Sequence, residues 1–317
     1  MNTQQECVVG IVGAGYMARE HIRAFQDLPN VKIAGITSRT VARAEALASE
    51  FHIPLVCNSV AELYEKTKAN LVVVTVPELA ANAVIRACIE YPWTCLVEKP
   101  AGYNLADAED IAAAARAKNA RVYVALNRRF YSSTQQALVD LKTTDQPRFI
   151  HVQDQEDQKR ALQAGQPPMV VANWMYANSV HVIDYFTLFG RGPVTSVEPV
   201  VPWNPDHPWI VIAKLQFASG DIGLYEGIWD GPGPWSVGIN LTEKRWEMRP
   251  LEQAAYQLAG QRKLEQVEIH EWDRQFKPGL RLQAEEAVAA TQGLETQLPN
   301  LEEALKSMRL VKQIFGM

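Results

Sequence analysis

The first 126 residues alternate short apolar runs with longer stretches of helical periodicity. Residues 7–13 (Cys-Val-Val-Gly-Ile-Val-Gly) form an apolar run that ends in glycines, the pattern of a strand buried on both faces. Helical periodicity follows from Met17 to Asp27. A second strand is predicted at 31–36, and an Ala-rich helix with Thr40 at its N-cap runs to about Phe51. Further strands are predicted at 54–57, 71–75, 94–97 and 121–126, with helices at 60–66, 78–90 and 105–118. Parallel neighbours need a helical crossover, so six strands in this rhythm predict a doubly wound parallel sheet, an α/β domain over residues 1–126.

The rhythm changes after about residue 145. Residues 147–155, 194–201, 208–217, 220–228, 235–241 and 244–249 carry strand patterns with one helical stretch among them, about 174–189. Helical patterns close the chain at 279–292 and 299–314, and 156–170, with Gln166-Pro167-Pro168 near its end, has the composition of a mobile loop. Residues 127–317 are therefore expected to form an α+β domain on a mostly antiparallel sheet. Seven of the eight tryptophans lie after residue 170, suited to a ligand cleft, a subunit interface or ordinary sheet packing.

Composition narrows the function classes. With 31 Lys+Arg against 36 Asp+Glu the net charge is −5, which argues against nucleic acid as a partner. No apolar run, Leu71-Val72-Val73-Val74 included, is long enough to span a bilayer, and no basic n-region precedes an apolar h-region at the start. Cys7, Cys57, Cys88 and Cys95 lie in or beside apolar stretches without a C-x-x-C pair, which points to buried free thiols rather than disulfides or metal ligands. The expectation is a cytoplasmic, metal-free protein.

Gly13-Ala14-Gly15-Tyr16-Met17-Ala18 matches G-x-G-x-x-G/A between a predicted strand and a predicted helix, the context that gives this short motif its meaning. Gly13 permits the tight turn, Gly15 lets the backbone approach a pyrophosphate, and Ala18 lets the helix pack on the strand. Unpaired N–H groups and the positive dipole end at the helix start favour phosphate. Tyr16 and Met17 in the turn, and Thr75 and Pro77 beyond the fourth strand, complete this part of the cofactor set. At the tip of the second strand, where an acid would hold the ribose 2′-OH of NAD, stands Thr37-Ser38-Arg39-Thr40. Ser38 can hydrogen-bond there and Arg39 can pair with a 2′-phosphate, which favours NADP without excluding NAD.

The fifth strand ends in Glu98-Lys99-Pro100, where ligands of such folds bind. The glycine turn, this Glu-Lys-Pro about 80 residues later and the domain change that follows together resemble the glucose–fructose oxidoreductase/inositol dehydrogenase (Gfo/Idh/MocA) family. Asn127-Arg128-Arg129-Phe130 resembles the family's inter-domain element, and His181-Val182-Ile183-Asp184 its H-x-x-D helix. Phe276-Lys277-Pro278-Gly279 and Leu301-Glu302-Glu303-Ala304-Leu305 resemble its endings. The resemblance implies an NAD(P)-dependent oxidoreductase that acts on a secondary alcohol or ketone carbon of a sugar, cyclitol or nucleotide-sugar. It also implies an NAD(P)-binding Rossmann domain over residues 1–126, a substrate-binding and oligomerisation domain with an open sheet over 127–317 whose last helix can pack back on the first, and a homodimer or homotetramer formed through that C-terminal sheet. An uncovered sheet face would expose aromatic area, for which Trp229 and Trp246 are candidate contacts. Lys99 would contact the substrate hydroxyl and the nicotinamide ribose beside Glu98, and His181 would be the acid/base. Asn127, Arg128, Trp174, Tyr176 and Asn178 join them as candidate substrate-binding residues.

One departure stands out. The family commonly carries D-x-G-x-H, and here Ala177 and Ser179 occupy the Asp and Gly positions. Asn178 is polar but lies one position off, about 100° around an α-helix. Ala177 cannot bind a sugar hydroxyl, which leaves open a catalytically silent NAD(P)-binding sensor or partner subunit, or a reductase of a non-sugar substrate.

Overall fold

The computed structural model describes residues 6–317. Two compact units divide the chain, one formed by residues up to Asn127 together with Arg274–Leu305, the other by Arg128–Asp273 and Lys306–Met317.

The first unit holds strands β1 (Cys7–Val12), β2 (Val31–Thr37), β3 (Val56–Cys57), β4 (Leu71–Val74), β5 (Thr94–Glu98) and β6 (Val122–Ala125) in the order β3-β2-β1-β4-β5-β6, all parallel. The apolar runs become these strands because both faces are covered. Val9, Ile11, Leu71, Val72 and Val73 are fully buried. The strand order reverses between β1 and β4, which opens a crevice at their carboxyl ends. Helix Leu280–Thr291 packs on helix Tyr16–Gln26 and on β4 and β5, and Arg281 pairs with Asp27 at 2.5 Å.

The second unit is an eight-stranded sheet. It holds β7 (Phe149–Glu156), β8 (Val194–Val201), β9 (Ile210–Phe217), β10 (Ile222–Trp229), β11 (Ser236–Asn240), β12 (Lys244–Met248), β13 (Ala254–Leu258) and β14 (Glu265–Gln266), ordered β14-β13-β12-β11-β7-β10-β9-β8. Every neighbouring pair is antiparallel except β7 with β10. After an exposed Phe149, β7 alternates buried and half-buried positions, and its inner face lies under helix Val180–Phe189.

Several expectations are corrected. Residues 156–170 contain two short helices, Gln158–Gln163, capped by Asp157 at the Arg160 N–H (2.8 Å), and the start of Pro168–Ala172. Pro168 fits a first helical turn, which has no use for its missing N–H. Helix Ser132–Leu141 escapes the sequence pattern because part of its buried face is polar. Ser133 donates to the Leu251 carbonyl (2.6 Å) and Thr134 bonds the Tyr185 hydroxyl (3.0 Å). Thr40 is the N-cap of Val41–Glu50, but its side chain makes no capping bond. Trp229 and Trp246, expected as interface candidates, are 1% and 3% exposed because they point to the covered face of the sheet, where Trp229 packs on Trp203 and Phe315. The four cysteines are free and buried, and burial pushes the thiols of Cys7 and Cys88 up to about 11 and about 12. No described helix is long and apolar enough to cross a membrane.

Candidate functional site

In the first unit the site is built mostly from backbone. Gly13 has φ of +109°, and a Cβ there would stand 2.5 Å from the Thr75 carbonyl oxygen, so the turn and the end of β4 touch in a way only glycine permits. At Gly15 a Cβ would meet nothing within 4 Å, so no protein contact demands a glycine and the open side is left for a ligand. The helix that starts at Tyr16 has no side-chain cap and no acid in its first turn, so its N–H groups and dipole stay available to an anion. Ala18 is fully buried, whereas Tyr16 is exposed with the Lys277 ammonium 5.6 Å from its ring centre. These features fit a pyrophosphate.

At the tip of β2, Thr37 is buried, Ser38 half-buried and Arg39 exposed. Ser38 Oγ accepts the Thr40 N–H at 3.3 Å, and among the described residues Arg39 has no ion-pair partner. Beyond β4, Thr75 Oγ1 donates to the Val12 carbonyl (3.2 Å) and Pro77 caps the next helix. At the end of β5, Glu98 Oε1 is 2.8 Å from His21 Nε2, and Glu98 Oε2 accepts the Lys99 N–H at 3.2 Å. The Lys99–Pro100 peptide is cis, and Lys99 is half-buried. His21 is a residue that the sequence reading missed. It is 1% exposed on a helix stripe shared with Ala18, Ile22 and Phe25, so by pattern it is only another core position. Asn127 is buried, and its amide donates to the Pro278 carbonyl at 3.0 Å, which ties the returning 274–305 segment to the end of the first domain.

The second unit carries the other candidates. Residues Asn127–Phe130 form a 3₁₀ turn, from which Arg129 grips Asp184 with a two-point fork at 2.6 and 2.7 Å. Ser307 donates to the same carboxylate at 2.6 Å, so the Asp of His181-x-x-Asp184 is a structural anchor. The Arg128 guanidinium lies 4.8 Å from the centre of the Trp235 ring, and the His181 ring lies 6.2 Å from the same ring. Trp235 is thus the member of this cluster that the sequence reading did not single out. His181 is 4% exposed and Tyr176 5%.

The helix leading to His181 is not a plain α-helix. Met175–Ser179 forms one wide π-turn, in which the Val180 N–H donates to the Met175 carbonyl five residues back. Positions 177 and 178 therefore cannot be counted from His181 at 100° per residue. Trp174 Nε1 donates to Glu156 Oε2 at 2.6 Å, and Asn178 Nδ2 donates to both Glu156 oxygens at 3.0 and 2.8 Å. The structure brings these two candidates together on a carboxylate that sequence reasoning missed. Glu156 and its neighbour Asp154 face inward on β7 and are 2% and 1% exposed. Burial pushes both carboxyls above their usual range, and the nearby Asp154 charge pushes Glu156 further.

Comparison with known proteins agrees with the local geometry. Residues 7–126 match the family model GFO_IDH_MocA, described as "Oxidoreductase family, NAD-binding Rossmann fold". The chain is 27% identical over 124 residues to trans-1,2-dihydrobenzene-1,2-diol dehydrogenase of Mus musculus, a match over 38% of this chain and 37% of that protein. Across the curated relatives it matches, the matched segment spans 37–45% of their length. Two solved structures share the fold over 98% of this chain. Aldose-aldose oxidoreductase from Caulobacter crescentus has a TM-score of 0.81 at 17% identity over 97% of its chain. UDP-N-acetylglucosamine 3-dehydrogenase GnnA from Acidithiobacillus ferrooxidans has 0.78 at 15% over 97%.

Proposed function

Residues 7–126 being a Gfo/Idh/MocA-type NAD-binding Rossmann domain, we propose that the chain is an NAD(P)-dependent oxidoreductase, NADP-preferring, that acts on a secondary alcohol or ketone of a sugar, cyclitol or nucleotide-sugar. The observation that carries this is the glycine turn at the sheet's switch point, with Gly15 open and the helix start uncapped, in the same unit as the Glu98-anchored Lys99. Ser38 and Arg39, which has no ion-pair partner among the described residues, support a 2′-phosphate at the tip of β2.

A bound nicotinamide would accept or supply the hydride. The chain's own work is to orient and to move one proton. The Lys99 ammonium would donate to the reacting oxygen and stabilise charge that develops there. His181 would take the hydroxyl proton in oxidation and return it in reduction. Arg128 and Trp235 would offer a cationic and an apolar surface to a hydroxylated ring.

A second reading, a cofactor-binding protein without turnover, is favoured by Ala177 in the usual Asp position and by the commitment of the Asn178 amide nitrogen to Glu156. Titrating NADPH and NADH by fluorescence, then measuring turnover with a panel of sugars, cyclitols, nucleotide-sugars and aromatic diols, separates the two. Binding with turnover on a hydroxylated substrate supports the first reading, and binding without turnover on any of them supports the second.

We also propose a homodimer or homotetramer through the open face of the second unit's sheet. Phe149 and Ile222, cross-strand neighbours on β7 and β10, are 39% and 43% exposed there. A concentration-independent mass of 35.4 kDa in light scattering would refute this.

A further inference from the structure

Two acids buried on one strand face need an electrostatic explanation. Asp154 and Glu156 are two residues apart on β7, both side chains turn inward, and neither forms an ion pair among the described residues. Tyr225 from β10 donates to Asp154 Oδ2 at 2.7 Å. Its ring reaches the acid by lying across Gly227, the residue that pairs with Asp154, where a Cβ would stand 2.8 Å from the phenol oxygen. Trp174 and Asn178 donate to Glu156 from the π-turn. The other titratable groups on elements that pack against β7's inner face are Tyr176 on that turn and, on the following helix, His181, Tyr185 and the Arg129-paired Asp184. β11 carries none. Two bare carboxylates at this depth, with neutral donors and no counter-cation, would repel each other and lack solvation.

We propose that Asp154 and Glu156 hold one proton between them at neutral pH, and that this pair is the positioning group that turns the Asn178 amide nitrogen inward and leaves its oxygen as a hydrogen-bond acceptor. The carboxyl function absent at position 177 is thereby supplied from β7, eighteen and twenty-two residues before the Trp174 and Asn178 that it holds. Asn178 is half-buried, and its Oδ1 accepts no hydrogen bond within the described protein. An acceptor without a donor selects a ligand that presents a hydroxyl and disfavours one that presents a carboxylate. That last step rests on the function proposed above, whereas the proton and the amide orientation do not.

The experiment uses the full chain and two spectra. In the infrared, the wild type at pH 7 is expected to show the C=O stretch of a protonated carboxylic acid that Glu156→Gln and Asp154→Asn each remove. In ¹⁵N NMR, the Asn178 side-chain amide, assigned as the signal missing from Asn178→Asp, is expected to exchange slowly with water and to lose that protection in Glu156→Gln. A wild type without the acid band overturns the proposal even if no variant folds, and an Asn178 amide that exchanges freely, once Asn178→Asp has assigned it, overturns it too. With a hydroxylated substrate, Glu156→Gln and Asn178→Ala should each raise KM about tenfold, with kcat within about threefold, and the double variant should add little more. Fully additive effects overturn the positioning role. Absence of any wild-type turnover would count against the proposed function, and the two spectra would still decide this inference.

Discussion

The glycine turn at residues 13–18 and the π-turn at 175–179 both open a helix beside a candidate site, yet they are made of different material. The first offers main-chain N–H groups, a positive φ and an absent Cβ, all properties of consecutive residues. The second offers side chains whose orientation is imposed by Glu156, from another element of the fold. A backbone site is written locally. A side-chain site depends on what packing brings to it.

Substitutions can sharpen that contrast. The largest effect is expected at Lys99, since Lys99→Met would remove the charged donor proposed for the reacting oxygen. Turnover should fall by roughly 100-fold or more while cofactor affinity changes little. Lys99→Arg should fail too, because a planar fork does not replace a compact ammonium. Near-normal turnover in Lys99→Met would reduce Glu98-Lys99-Pro100 to a plain strand end.

Next comes Arg39. Loss of a charge-assisted contact with the 2′-phosphate costs on the order of 1.5–3 kcal/mol. Arg39→Ala should therefore weaken NADPH roughly ten- to a hundredfold and spare NADH, as read by fluorescence titration. Equal losses for both cofactors would remove the case for NADP.

The buried acids predict a pH dependence of unusual sign. Their folded titration is raised, so above the ordinary carboxyl range of about 4 the folded chain binds more protons than the unfolded one. Stability contributed by the pair is therefore full at low pH and falls as pH rises towards the raised titration, by about 1.4 kcal/mol per pH unit for each retained proton. Denaturant unfolding from pH 5 to 8 should show Glu156→Gln with a flatter slope than the wild type. An identical slope in both would contradict it.

The smallest effect concerns the thiols. Buried Cys7, Cys57, Cys88 and Cys95, all held in the protonated form by burial, should react with a thiol reagent only after denaturant is added. Rapid labelling of the native chain would show that the first unit opens readily.

Much of the first unit was legible. Its six strands fall within a residue or two of the apolar runs, because a strand covered on both faces can hardly tolerate polar positions. The second unit was read less completely. Its β8–β12 pattern was visible, but Ala254–Leu258 and Glu265–Gln266 were missed, since alanine, glutamate and glutamine are weak strand formers placed there by pairing. Helix Ser132–Leu141 was missed because burial there is polar.

The sequence by itself determined the nucleotide-binding turn, the strand–helix order of the first unit and the identity of Lys99 and His181 as candidates. Each rests on local rules of period, sterics or chemical type. Only the tertiary structure decided that His21 holds Glu98, that Arg129 holds Asp184, and that Trp174 and Asn178 turn to Glu156. The physical reason is that a polar side chain taken out of water must find a partner, and which partner is near depends on the packing of elements far apart in the chain.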